Sequence, residues 1–176
     1  MNVRELRWGD YEGWVALYYS RYDELAANPG LGVFTMEQRP TLGEESAHFG
    51  NVWKRILAGD MLASVAEDDR SLVGLCTVVR AGHLEDHHVG SLGIAILPSH
   101  RNRGIGTQLM QHVLSECEGK FSVLTLNVIA GNEPALRLYR RFGFTQRGRV
   151  PGTFRRAGVV FDEIIMSREI GPPNPP

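Results

Sequence analysis

Residues 92–107 read Leu-Gly-Ile-Ala-Ile-Leu-Pro-Ser-His-Arg-Asn-Arg-Gly-Ile-Gly-Thr, and their reading decides the fold. Val89–Leu97 is a short apolar run of strand character, stopped by Pro98. Beyond the turn, Ile105, Leu109, Val113 and Cys117 recur at every fourth position and mark the buried face of an amphipathic helix. The turn Arg101–Thr107 therefore joins a strand to a helix, with Gly104 and Gly106 at the helix entrance. The first N–H groups of a helix lack internal acceptors, and the macrodipole makes that end positive. Glycines there let an anion approach the backbone. Arg101 and Arg103 add positive charge and Thr107 adds a hydroxyl, so the segment reads as a pyrophosphate-binding turn.

Outward from this turn the chain divides into helical and extended segments. Tyr11, Trp14, Val15, Leu17 and Tyr18 have helical spacing after a possible cap at Asp10, and Pro29-Gly30 closes the helix. Thr41 and Glu44 have capping-box spacing before Phe49, Val52, Trp53 and Ile56, with Gly59 as terminator. Met61–Glu67 and Leu72–Val79 flank a polar turn and read as a hairpin. After the central helix, ended by Gly119, Phe121–Ile129 is a strand. Asn132 caps a further helix with Pro134 in its first turn and Gly143 at its end. Thr145–Val150 and Val159–Arg168 are the last strands. The order ααβββαβαββ predicts an α/β (α+β) domain with a mixed sheet. Residues 1–170 are expected to form one domain, and 171–176 a Pro-rich mobile tail.

Several functions are excluded on residue identity. A dinucleotide fingerprint requires a third glycine, where Leu109 stands, and a P-loop requires Lys-Ser/Thr after the second glycine. The formal net charge of -1 does not favour nucleic acid. The charge is uneven: residues 1–100 hold 14 Asp/Glu against 8 Lys/Arg, and residues 101–176 hold 6 against 11. Cys76 and Cys117 are too few for a disulfide framework and read as buried thiols. The first residues lack the apolar core of a signal peptide, and no run is long enough to span a membrane. A cytoplasmic location without membrane or nucleic-acid partners is expected.

Two signatures then coincide. Arg101-x-x-Gly104-x-Gly106 resembles the central motif of the GNAT family of N-acetyltransferases. Asn132-x-x-Ala135-x-x-Leu138-Tyr139-x-x-x-Gly143-Phe144 resembles that family's second signature, separated from the first by the expected helix and strand. The resemblance covers about residues 1–169. It implies a mostly antiparallel sheet, flanked by helices, with a central parallel pair that splays apart, here Val89–Leu97 and Phe121–Ile129.

The resemblance also implies a site. Acetyl-CoA would enter the gap as co-substrate, without a metal. Its pantetheine arm would pair with the backbone of Ile94, Ala95 and Ile96, and its pyrophosphate would lie on Arg101, Asn102, Arg103, Gly104, Ile105, Gly106 and Thr107. Asn132 and Ala135 would flank it. Transfer to a primary amine by direct attack in a ternary complex is implied, with an N–H near Ile96 as oxyanion donor and Tyr139 as the acid that protonates the thiolate. Some relatives carry a basic Glu where this chain has Asn127, which could only order a water. His88, ahead of the first splayed strand, is the preferred base, because histidine ordinarily titrates closest to neutrality. His87, Glu45 and Glu163 are the other candidates. The acceptor pocket would draw on Tyr18, Tyr19, Tyr22, Phe34, Glu37, Glu44 and Glu45, which suits a cation. Arg147, Arg149, Arg155 and Arg156 suit an acidic acceptor or a peptide instead. The acceptor class stays open among small amines, amino-acid analogues and protein N-termini, and a homodimer is compatible with the family. A CoA-binding regulatory domain without catalysis is the alternative reading.

Overall fold

The computed structural model describes residues 1–28 and 38–171. The predicted helix stop at Pro29-Gly30, the pocket residues Phe34 and Glu37 and the tail beyond Gly171 lie outside the described residues.

Seven strands form one sheet: β1 (Asn2–Glu5), β2 (Met61–Asp68), β3 (Ser71–Arg80), β4 (Val89–Ile96), β5 (Val123–Ile129), β6 (Thr145–Arg156) and β7 (Val159–Glu169). Their spatial order is β1-β2-β3-β4-β5-β7-β6. Every neighbouring pair is antiparallel except β4 and β5, which run parallel. The helices are α1 (Tyr11–Ala27), α2 (Leu42–Leu57), α3 (Ile105–Cys117) and α4 (Glu133–Arg141).

Two apolar layers flank the sheet. On one face, Ile105, Leu109, Met110, Val113 and Cys117 of α3 pack with Cys76, Val78, Leu92, Leu124, Leu126 and Met166. On the other, Trp14, Val15 and Leu17 of α1 and Phe49 and Val52 of α2 pack on Met61, Ala63, Val65 and Leu75. Strand residues alternate between faces. Leu92 and Leu126 therefore point to α3, while Ser91, Gly93 and Asn127 point to the side of α1 and α2. Both thiols are buried and free, as their apolar surroundings predict.

Several terminators act as predicted. The Thr41 hydroxyl accepts from the Glu44 N–H while the Glu44 carboxylate accepts from the Thr41 N–H, at 3.3 and 2.7 Å. The Asn132 side chain accepts from the Ala135 N–H at 3.3 Å. Asp10 behaves differently. Its carboxylate accepts from the Arg7 N–H and from both terminal nitrogens of Arg4, so it closes the preceding turn and makes no side-chain cap on α1. β1 is absent from the predicted order because Asn2-Val3-Arg4-Glu5 has a single apolar residue and no alternation to read. β6 runs six residues beyond the predicted Val150, through an irregularity in its pairing with β7 between Val150 and Phe154.

Candidate active site

β4 and β5 pair only at their beginnings: Val89 with Val123, Gly90 with Leu124 and Ser91 with Thr125. The closed end is tight because Gly90 has no side chain; a Cβ there would meet Val78 Cγ1 at 2.5 Å and Leu124 Cδ2 at 2.9 Å. Beyond Ser91 the strands part, although β4 stays paired with β3 as far as Ile96 and β5 with β7 as far as Ile129. The Val89 carbonyl accepts from Ala81 on the β3 side, whereas the Gly90 carbonyl accepts from Thr125 Oγ1 on the β5 side. By alternation, the backbone of Leu92, Ile94 and Ile96 faces the gap and that of Ala95 faces β3. Of the three residues expected to bind the pantetheine arm, Ile94 and Ile96 thus present backbone to the opening, and Ala95 lines it from between them.

The turn after β4 ends in an uncapped helix. Gly104 occupies the N-cap position of α3 at φ +80, with no side-chain cap and nothing within 4 Å of where a Cβ would stand. Asn102 is also left-handed, at φ 61. The Gly104 carbonyl accepts from Thr107 and Gln108, while the N–H groups of Gly104, Ile105 and Gly106 meet no acceptor among the described residues. Gly106 serves a different need: a Cβ there would lie 3.1 Å from Leu138 Cδ2 and 3.3 Å from Ile96 Cδ1. Its absence lets the start of α3 settle against β4 and α4.

The arginines of the turn separate. Arg103 is exposed and makes no ion pair among the described residues. Arg101, expected to add positive charge to the turn, is engaged within the fold. Both its terminal nitrogens donate to the Glu24 carboxylate of α1, and its Nε donates to the Ile96 carbonyl at 3.1 Å. The side chain fastens α1, the turn and the end of β4 together. Glu24 was missed in the sequence because 77 positions separate the partners and no spacing rule links them.

Tyr139 of α4 is 5% exposed, within the layer that includes Phe144. Burial, with a smaller contribution from Cys76, pushes the phenol well above its ordinary pKa and keeps it protonated. On the other face, Trp14 stacks on Tyr18 at 4.6 Å and the Arg21 guanidinium lies 4.0 Å over the Tyr18 ring. Glu45 of α2 is 3% exposed and its Oε2 has no partner among the described residues, as is true of Trp14 Nε1 and Arg21 Nε. Other acceptor-pocket candidates have structural partners: the Tyr19 hydroxyl donates to the Pro40 carbonyl at 2.8 Å, and Glu44 closes the capping box. Among the late arginines, Arg149 pairs with Asp162 at 2.6 Å and Arg147 donates to Ser167 Oγ.

His88, the preferred base from the sequence, lies away from the gap. Its carbonyl accepts from the N–H groups of Ser122 and Val123, which puts it at the closed end of the strand pair. Five residues separate it from Gly93, roughly 16 Å at the rise of a strand. The sequence put it next to β4 but could not say which end of β4 opens. Asn127 lies two residues past Thr125, level with Gly93 where the gap begins. Its Nδ2 donates to the Glu163 carboxylate of β7 at 2.7 Å.

No group of three or more His, Cys, Asp or Glu residues suited to a metal occurs among the described residues. No described helix is long and apolar enough to cross a membrane.

Comparison with known proteins fits this geometry. Residues 3–144 match the acetyltransferase (GNAT) family. The chain belongs to the GNAT family. An L-amino acid N-acetyltransferase, AaaT, of Escherichia coli is 29% identical over 106 residues, covering 59% of this chain and 65% of that relative. The ribosomal protein bS18 alanine N-acetyltransferase of Salmonella typhimurium is 32% identical over 127 residues, covering 72% of this chain and 80% of its own. A phosphinothricin acetyltransferase from Sinorhizobium meliloti, solved in complex with acetyl-CoA, superposes with a TM-score of 0.80 at 20% identity, over 97% of this chain and 88% of that one. As a GNAT chain, the protein has the family's mixed sheet with its parallel β4/β5 pair.

Proposed function

We propose that this GNAT protein transfers the acetyl group of acetyl-CoA to a primary amine by direct attack in a ternary complex. One observation carries the reading: the parted strands β4 and β5 open beside the uncapped start of α3. An amide-bearing arm needs donors and acceptors along its length, and a pyrophosphate needs clustered N–H groups. The first are offered by the gap-facing backbone of Ile94 and the N–H of Ile96, whose carbonyl accepts from Arg101. The second are offered by Gly104, Ile105 and Gly106, with Arg103 and the Thr107 hydroxyl beside them. Asn102 shapes the turn, and Asn132 and Ala135 fix the start of α4 on its flank. Acetyl-CoA supplies an activated thioester carbonyl and a thiolate leaving group.

The chain's own groups then have defined tasks. A gap-facing β4 N–H donates to the developing oxyanion. Tyr139, kept neutral by burial, donates to the departing sulfur. The buried Glu45, whose Oε2 has no partner among the described residues, favours an acceptor that arrives as an ammonium ion. An amino acid or a peptide N-terminus has this chemistry, in keeping with the substrates named for the relatives from E. coli and S. typhimurium.

The test is thiol release from acetyl-CoA by the purified protein across free amino acids, peptides with different first residues, and polyamines. Turnover restricted to α-amines supports the reading. Acetyl-CoA binding without turnover on the whole panel favours a CoA-binding regulatory domain.

A further inference from the structure

The geometry points to Glu163 as the group that takes the proton from the acceptor ammonium, with Asn127 holding its carboxylate toward the gap. The inference rests on the acetyl-transfer reading above.

The strand that borders the gap carries no acid at the level where the gap opens. Asn127 occupies that level, on the face of the sheet turned to α1 and α2, because its neighbours Leu126 and Val128 are buried on the α3 face. Glu163 projects from β7 on the same face as Asn127, since Ile164 is buried with α3. In register it opposes Ile129, two residues further along β5. Its carboxylate leans back toward β5 to accept from Asn127 Nδ2 at 2.7 Å. One strand spacing, about 4.8 Å, separates β7 from β5, so this hydrogen bond brings the acid over the strand that edges the gap. Asn127 is exposed and Glu163 half-buried, so an incoming ammonium or a bridging water can reach the pair.

The charged surroundings favour the role. Asp162 is the adjacent residue of β7, projects to the opposite face, and is engaged by Arg149 and the Gly152 N–H. Val150 of β6 stands directly across from Glu163. Arg147 on β6 donates to Ser167, four residues along β7. Lys and Arg side chains make no ion pair with Glu163 among the described residues, which leaves the carboxylate available to a cationic substrate.

The step balances simply. The ammonium gives one proton to the Glu163 carboxylate. The freed nitrogen lone pair forms the C–N bond to the thioester carbonyl as the C–S bond breaks. The thiolate takes a proton from Tyr139, and the amide nitrogen's surplus proton restores the phenol through solvent. The products are an amide and free CoA thiol, and Glu163 returns its proton to water.

The test compares pH profiles of kcat/KM for wild type, Glu163→Gln, Glu163→Asp, Asn127→Ala and Glu45→Gln, with acetyl-CoA affinity and melting temperature measured for each. Glu163→Gln is expected to lose about 10²-fold at neutral pH, to keep its acetyl-CoA affinity, and to recover as pH rises and free amine becomes abundant. Glu163→Asp is expected to retain an acidic limb at reduced kcat. Asn127 Nδ2 holds the carboxylate in place, so Asn127→Ala is expected to lower kcat toward the Glu163→Gln level with acetyl-CoA affinity unchanged. Glu45→Gln is expected to change the KM for the amine and leave the limb in place. An active wild type whose limb survives Glu163→Gln, or disappears in Glu45→Gln instead, overturns this assignment and leaves acetyl transfer standing. A wild type inactive on every amine overturns both.

Discussion

Gly104 and Gly106 sit two residues apart and are required for different reasons. Gly104 holds a left-handed backbone with open space around it, so Gly104→Ala is expected to cost about 1 kcal/mol of stability from conformation alone. Gly106→Val would drive side-chain atoms into Leu138 and Ile96 and push α3 away from β4. Acetyl-CoA affinity should therefore fall at least tenfold in Gly106→Val and far less in Gly104→Ala, as read by titration of folded samples. Equal losses would contradict this division. Tyr139→Phe removes a buried hydroxyl and keeps the ring that packs on Phe144. It should lower kcat by 10-fold or more while acetyl-CoA affinity stays within about twofold, since general acids contribute roughly 10²–10⁴-fold. Unchanged turnover would remove the acid role. At this scale the sequence was informative where the partner is local, as with Thr41 and Glu44 or Asn132 and Ala135. It was uninformative where the partner is distant. Arg101 is engaged by Glu24 and Asn127 by Glu163, and these pairings exist only once α1 and the β5–β7 register are in place.

At the scale of elements, the strand–turn–helix unit was legible because hydrophobic period, Pro98 and the glycines all changed at the same place. The splay between β4 and β5 was not legible from spacing. It arises because β3 and β7 hold the two strands along their lengths while direct pairing stops at Ser91 and Thr125. This is also why His88, adjacent to β4 in sequence, stands at the closed end of the strand pair. The start of α2 offers a clean test of local encoding. Thr41→Ala breaks the side-chain half of the capping box and should destabilise the protein by about 1 kcal/mol in denaturant unfolding. A change below a few tenths of a kcal/mol would mean that packing of Phe49 and Val52 alone sets the helix start.

For the whole molecule, the buried titratable groups fix the alkaline limit of stability. Burial raises the Cys117 thiol to about 12 and raises Cys76 and Tyr139 as well. The unfolded chain loses its thiol protons from pH ~8.5 upward, where the folded protein still binds them. The unfolded state therefore holds fewer protons and stability falls as pH rises, by about 1.4 kcal/mol per pH unit for each thiol. The contribution is complete below pH ~8.5, and for Cys117 it is lost by about 12. Urea unfolding at pH 8 and pH 10 should show the decline, and Cys117→Ala should make it shallower. A flat profile would contradict the burial of these thiols. The acidic and basic halves of the sequence meet in this folded body through pairs such as Arg101 with Glu24. Charge asymmetry along the chain is therefore a weak guide to partners.

The most direct measurement is calorimetric titration of the protein with acetyl-CoA, with NAD as a control anion that also carries a pyrophosphate. The account predicts saturable one-to-one binding of acetyl-CoA, strongly weakened in Gly106→Val, and no response to NAD. A well-folded protein that binds neither, or binds both alike, would contradict the assignment of the α3 entrance and the β4–β5 gap as an acetyl-CoA site.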